Sequence, residues 1–572
     1  SIFFPCKETS ILAMSRSSSD ASIRSSPASI HGTRTDLAYH QHRSVPADRW
    51  CVTYWDLAFL RQEVREALES GQIQLENDDA EHAEDEAYGP SIYAVNEQYI
   101  KPVTLQAGKV SWALMQHPDG LDCDLFISHA WQEGVFEFLS KVTYSWPWGL
   151  RTAWCCMLAN PQNLNISSFL KSPTSSPFAV ALRASKVMLV VPNRHQSVYT
   201  RLWCAYEAYL AQEEGKTILI AHSSHFPQIL AALRWIVLAA FVGAALGLAS
   251  TLRGVGGPYG GAVLALSLMA FSLVIQDETF RRLMHLVGQM LCWIEVTHRA
   301  GWVFKAEEEG GASLSMDYVL HVCYWLNISF AFCFMEVDRI QARSTVLEAK
   351  ELQHGYRGSI EYATCSQETD ETSIRKEIAD QVDRVDHAIH VLLTAGMSTP
   401  LLRDIARMVP IEHAAFSEVT AAVFLLGPVA IAGFAVVLFQ HGVMASEPAY
   451  RATLVGISLL SRLILVLLLC RSHWDEQRYI LKIMSKLLAM YFWLYMIVVV
   501  FALILRDLNM NSAALLWLLV GDICSVSILS FAIPGVRGLA NLPLGLKVLR
   551  LFFSRGSNAV DAISVCVRCE PN

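Results

Sequence analysis

Asp124-Leu-Phe-Ile-Ser-His-Ala-Trp131 and Arg201-Leu-Trp-Cys-Ala-Tyr-Glu207 bracket the stretch that decides the fold, and Ser185-Lys-Val-Met-Leu-Val-Val-Pro-Asn193 lies between them. Each piece is a short apolar run that leads into polar loop residues and then into a helical pattern. Such alternation predicts a small parallel α/β sheet. In parallel sheets, function gathers at the loops beyond the carboxyl ends of the strands. Those loops hold Ser128, His129, Trp131, Pro192 and Asn193. Ala153–Leu158 reads as a further strand followed by the loop Ala159-Asn-Pro-Gln-Asn163, and Lys216–Ala221 as another strand. Gly215-Lys216-Thr217 is not a phosphate loop, because Leu210 stands where the first glycine of that cradle belongs.

In order and residue type these motifs resemble a TIR (Toll/interleukin receptor) domain. Phe126-Ile127-Ser128 matches the strand that opens the family's fold. Ser185, Val187–Val191 and Trp203-Cys204-Ala205-Tyr206-Glu207 match its later serine, buried strand and Trp-Cys-x-x-Glu helix start. The resemblance implies a flavodoxin-like parallel sheet over residues 121–228. The last strand and helix of the full fold are expected to be missing, since the chain runs from Lys216–Ala221 almost directly into an apolar segment. It implies NAD as substrate, with Glu207 catalytic and Ser128, His129, Trp131 and Trp203 around the nucleotide. It also implies protein partners, self-association among them. Taken without the resemblance, Trp203 and Cys204 read as residues packed under the sheet, and Glu207 as a solvated helix carboxylate.

The 572 residues exceed one ordinary domain, and 53% are hydrophobic against 17% charged. That balance predicts a membrane protein with soluble parts. A net charge of −8 argues against nucleic acid as a partner. The 14 cysteines form no secreted-type framework, and the closing Cys566-Val-Arg-Cys569 lacks the second half of a zinc site. No metal site is expected.

Along the chain, residues 1–48 read as a disordered segment rich in Ser and Arg. Residues 49–120 read as an extension packed on the α/β module. It has a helix over Trp50–Leu68, with Leu57, Leu60, Val64 and Leu68 on one face, and extended chain at Tyr99–Pro102 and Val110–Met115. Residues 229–276 read as a transmembrane hairpin, 277–418 as a cytosolic helical domain, 419–533 as four transmembrane helices and 534–572 as a cytosolic tail. Within 277–418, Asp317–Met335 is apolar enough to raise a further crossing. Ile374–Leu393 is the best amphipathic helix, with Gly396 and Pro400 to stop it. The excess of basic residues in the loops on one side places the soluble modules and both termini in the cytosol of an integral membrane protein, with the lipid bilayer as a partner. Arg462 and Asp522 fall inside apolar segments and form a candidate intramembrane charge pair. The expected architecture is therefore an α/β TIR-like module joined to a polytopic α-helical membrane domain. A channel or transporter regulated by its soluble modules, and a scaffold without activity, are the competing readings.

Overall fold

The computed structural model describes residues 27–74, 87–147, 149–166, 169–170, 172–254, 261–275, 277–308, 316–365 and 367–407, with isolated short pieces between 460 and 544. The four apolar segments expected over 419–533, the Arg462–Asp522 pair and the tail at 534–572 lie, but for isolated positions, outside the described residues.

The described part is mixed α/β, with a six-stranded mixed sheet and mostly helices around it. The strands are β1 (Val52–Thr53), β2 (Leu125–Ser128), β3 (Thr152–Cys155), β4 (Val187–Val190), β5 (Thr217–Ile220) and β6 (Met397–Ser398), in the spatial order β1-β3-β2-β4-β5-β6. β3, β2, β4 and β5 run parallel, in register from Leu125 against Ala153 and Val187 to Val190 against Ile220. The edge strands β1 and β6 are antiparallel. Strands covered on both faces read as unbroken apolar runs rather than alternating ones, which is why β2 is buried along its whole length. The chain order reverses at β2, with β3 on one side and β4 on the other. That reversal makes the carboxyl ends of β2 and β4 the place where a doubly wound sheet opens a crevice.

Among the described residues the helices of eight residues or more are α1 (Pro27–Ser44), α2 (Tyr54–Glu69), α3 (Val135–Tyr144), α4 (Pro177–Ala184), α5 (Leu202–Glu213), α6 (Phe226–Leu252), α7 (Gly261–Val274), α8 (Glu278–Glu308), α9 (Met316–Gln353), α10 (Glu368–Ile378) and α11 (Val382–Ala395). α2 packs on α3, and α4 packs on α5. Right-handed crossovers put these two pairs on opposite faces of the sheet. α2 begins at a capping box in which Thr53 and Asp56 satisfy each other's backbone N–H groups. It buries Leu57, Leu60 and Val64, as their spacing predicts.

Several expectations are corrected. The segment expected to be disordered is helical over α1. His42 is buried there, its ring edge-on to Trp50 at 4.6 Å and its Nε2 accepting the Ser111 N–H. Tyr99–Pro102 is helical rather than extended: Tyr99 and Ile100 end the π-turn Asn96–Ile100, which runs straight into the helix Lys101–Gln106 that holds Pro102. Val110–Met115 is likewise mostly helical, because the Ser111 side chain accepts the Leu114 N–H and starts a turn. The helix expected over Ile374–Leu393 is two helices, α10 and α11, separated by a turn. α11 does end on left-handed Gly396, but Pro400 starts the next helix instead of merely stopping this one.

The largest difference concerns residues 277–418. Ala349, Leu352, Ile360, Ala363, Ile374, Ile378, Val385, Ile389 and Leu392 belong to the same apolar core as β2 and β4. β6 pairs with β5 and covers the sheet edge that was expected to end early. The α/β unit is therefore discontinuous, and α6–α9 form a helical bundle inserted between β5 and β6. Within that bundle α6 and α8 run parallel. Gly243 meets the Met290 backbone, Gly247 meets Ile294 and Thr297, and Thr251 meets Gly301. α8 and α9 run antiparallel, with Gly288 against Phe332 and His285 Nδ1 2.8 Å from Glu336 Oε2.

Among the described residues one helix, α6, is long and apolar enough to cross a membrane, by length and composition. The expected second arm of the hairpin, α7, has 14 residues, about 21 Å of helix, which is short of a hydrocarbon core of about 30 Å. A multipass membrane domain is thus an expectation that the described residues leave without support. α6 does have an inverted surface. Leu233, Val237, Leu238, Phe241, Leu246 and Leu248 face outward, while Gly243, Gly247 and Thr251 are buried. Large apolar side chains outside and small residues at four-residue spacing inside are the packing style of helices in lipid. Gly247→Leu forces a side chain into Thr297 and the Ile294 carbonyl. It is expected to separate α6 from α8 and to cost about 1–3 kcal/mol or more, read as faster hydrogen exchange along both helices.

Candidate functional site

The cleft lies at the carboxyl end of the sheet, between the segments that follow β2 and β3 and the start of α5. Ser128, the last residue of β2, sits behind it. Ser128 Oγ donates a hydrogen bond to Glu207 Oε2, joining residues 79 positions apart. Glu207 is only 5% exposed, yet it lines the cavity. Burial pushes its carboxyl up to about 7, while the Ser128 hydrogen bond and the Arg201 charge pull the other way. The carboxyl therefore changes charge near neutral pH.

The loop after β2 supplies His129 and Trp131. His129 is buried, its ring 4.8 Å from Phe138. Its Nδ1 lies 3.2 Å from the Ala130 carbonyl and its Nε2 3.1 Å from Cys156 Sγ. With Nδ1–H donating to the carbonyl, Nε2 accepts from the thiol. Burial drops the imidazole to about 4, so it is neutral at physiological pH. Trp131 Nε1 donates to Cys156 Sγ at 3.3 Å, and its ring packs on Tyr93 at 5.5 Å. Burial and the Glu207 charge push the Cys156 thiol up to about 12. This cluster is a neutral, hydrogen-bonded wall rather than a nucleophilic pair. Glu133, also buried, accepts the Ala130 N–H on Oε1 and fixes the same loop.

Trp203 is half-buried. Its ring stacks on Phe178 at 5.1 Å, and its Nε1 donates to Asp370 Oδ2 at 3.3 Å. α5 is held from outside as well. Tyr206 donates to Glu377 at 2.7 Å, and the Leu202 N–H donates to the Thr364 carbonyl at 2.8 Å. Segments that follow the inserted bundle therefore fix the helix that carries Glu207.

The cavity measures about 310 Å³ and brings His129, Trp131, Trp203 and Glu207 together, with Ser128 behind Glu207. The TIR resemblance implied these five side chains around one ligand; four of them line this cavity, Ser128 reaches it only through Glu207, and Pro192 and Asn193, expected at the functional strand ends, do not line it. The sequence reading missed Arg201, Asn160, Gln162 and Cys156, all of which line the same space. Arg201 is half-buried and feels Glu207, Cys156 and Cys204, but among the described residues it is in no ion pair. A cation without a fixed counter-charge at a cavity wall suits an anionic ligand group. The available signal was position: Cys156 follows β3 directly, Asn160-Pro-Gln162 follows the short helix Cys156–Ala159, and Arg201 opens the helix that follows β4. Among the described residues no three His, Cys, Asp or Glu side chains are grouped to hold a metal ion.

No family model, curated protein or solved structure matches the chain.

Proposed function

We propose that this chain is a membrane-anchored protein whose TIR-like α/β module cleaves NAD at the nicotinamide glycosidic bond, and that it signals through protein partners or self-association of that module. The observation that carries the reading is Glu207: a carboxyl that titrates near neutrality, oriented by Ser128, in a cavity at the carboxyl end of the parallel sheet. The doubly wound order of the four parallel strands agrees with the resemblance carried by Phe126-Ile127-Ser128 and Trp203-Cys204-Ala205-Tyr206-Glu207. The inverted surface of α6 supports the membrane anchor.

The chemistry suits those residues. Departure of neutral nicotinamide leaves positive charge on the ribosyl carbon. A carboxylate placed there stabilises or captures that charge, and water completes the hydrolysis. Ser128 occupies Oε2 of Glu207, which leaves Oε1 for the substrate. Trp131 and Trp203 offer aromatic surface, Asn160 and Gln162 offer amides for ribose hydroxyls, and Arg201 offers charge for a phosphate. A cavity of about 310 Å³ is at the small end for ligand sites, room for one half of a dinucleotide with the other half outside.

Binding tests this reading separately from turnover. The full chain in lipid nanodiscs is expected to bind a non-cleavable NAD analogue saturably. Arg201→Ala is expected to weaken that binding about 10–100-fold, the worth of a charged hydrogen bond. Unchanged affinity in Arg201→Ala would remove the phosphate role. Absence of saturable binding by the parent chain would remove the NAD reading. The full chain is required, since a fragment ending near residue 226 would lack Val385, Ile389 and Leu392 of the core.

A further inference from the structure

The module carries a second apolar surface, away from the cleft residues. Trp55 is 74% exposed, Phe226 65% and Tyr144 40%. These rings form one ribbon. Trp55 packs edge-on to Tyr54 at 5.3 Å, and Tyr54 packs edge-on to Trp146 at 5.8 Å. Ser145, between Tyr144 and Trp146, accepts the His222 N–H at 2.7 Å. Tyr144 packs on His225 at 5.3 Å, and Phe226 is the first residue of α6. The ribbon therefore runs without a gap from the module's surface to the foot of the apolar helix.

An exposed aromatic patch of this extent on a folded surface calls for an occupant. Three features choose it. Trp and Tyr, each an apolar body with a polar tip, are the residues of the membrane–water interface. The ribbon is continuous with α6, whose outward face between Leu230 and Leu252 carries large apolar side chains, with Arg234 near the foot of the helix as its one exposed charge. Neither Tyr144–Leu150 nor Ala221–Phe226 contains a Lys, Arg, Asp or Glu, so nothing there selects an anionic lipid or a charged protein.

We propose that the ribbon Tyr54, Trp55, Tyr144, Trp146 and Phe226 seats the α/β module on the headgroup layer of the bilayer that α6 enters. The partner is a zwitterionic lipid interface, and the attraction is ring insertion rather than charge. This rests on the membrane reading of α6. The seat adds a lipid contact to the protein contacts by which α9 already holds the module, Glu348 on the Ser223 N–H and Glu351 on Lys141.

A photo-crosslinking residue tests both readings separately. Benzoylphenylalanine is placed at position 55, 241 or 37 of the full chain, one at a time, in phosphatidylcholine nanodiscs. Phe241 is 70% exposed in the middle of α6, and Leu37, on α1, is 68% exposed. The expected result is lipid adducts at 55 and 241 and none at 37, with the yield at 55 unchanged at about 0.5 M salt, where charge attraction is screened. A lipid adduct at 241 with none at 55 overturns the seat and leaves the anchor standing. Crosslinking of position 55 to a second copy of the chain also overturns it, in favour of a protein interface. Absence of lipid adducts at both 55 and 241 overturns the anchor and the seat together.

Discussion

Lys141→Met is expected to destabilise the chain by about 3–5 kcal/mol, the cost of removing one partner from a buried charge cluster. Lys141 is 1% exposed and faces three carboxylates: Glu137 and Glu348 at 3.1 Å and Glu351 at 2.8 Å. Its Nζ also donates to the Pro192 carbonyl at 3.0 Å. Burial works against its charge, but Glu348, Glu137 and Glu351 outweigh it, so its pKa is raised and it stays protonated. Methionine fills the space of the stem and leaves the carboxylates facing one another. Because the loss is electrostatic, it should shrink on acidification, as Glu351, whose pKa burial raises, takes up its proton. Glu348→Gln with Glu351→Gln in the same background should recover much of it. Urea unfolding of the reconstituted chain at pH 5 and pH 8 measures both effects. An equal loss at the two pH values would mean that packing, not charge, sets the cost. Glu348 and Glu351 belong to α9 and Pro192 follows β4. This lysine therefore ties the end of the inserted bundle to the loop after β4.

Glu207→Gln is expected to lower NAD cleavage by at least about 100-fold, while raising stability above neutral pH. The first effect follows from losing the negative oxygen that faces the ribosyl cation. The second follows from linkage. The carboxyl titrates at about 7 in the fold, against 4.5 when unperturbed. A folded-state pKa above the unfolded one means that the native state holds its proton longer. The stability that this proton brings is complete below pH 4.5 and is lost as pH rises through 7, by about 3 kcal/mol in all. Glutamine keeps an acceptor for Ser128 and carries no charge, so it escapes that loss at pH 8 and gains nothing at pH 4. Thermal melts of the two proteins at both pH values check the difference. Activity of the parent runs the other way, rising through pH 7 as the carboxylate forms. Opposite pH trends in stability and rate, both erased by one isosteric change, would mark Glu207 as a group kept under strain for function.

The parallel strands were legible because a strand buried on both faces writes itself as a short apolar run, as in Val187-Met-Leu-Val190. Ser128, His129 and Trp131 were legible as residues at the end of a parallel strand, whereas Trp203 and Glu207 were reached only through the TIR resemblance; without it Glu207 read as a solvated carboxylate, and the structure buries it. β6 was not legible, since two residues carry no periodicity. Its pairing with β5 closes across about 180 residues of intervening chain, a register that local pattern cannot encode. The same distance hid the partners of α5: Trp203 finds Asp370, and Tyr206 finds Glu377, only after the bundle has returned the chain to the sheet. The turn at 379–381 escaped notice because the apolar spacing on either side stays in phase across it. Arg201 was passed over because an arginine that opens a helix reads as surface until the cavity beside it is seen.

The most direct measurement is nicotinamide release from NAD by the full chain, clustered at high density on nanodiscs or vesicles, beside its Glu207→Gln twin. Release by the parent that rises through pH 7 and disappears in a twin that melts no lower supports a NAD-cleaving module with Glu207 at its centre. Folded parent protein that releases no nicotinamide at any density, or a twin as active as the parent, contradicts it.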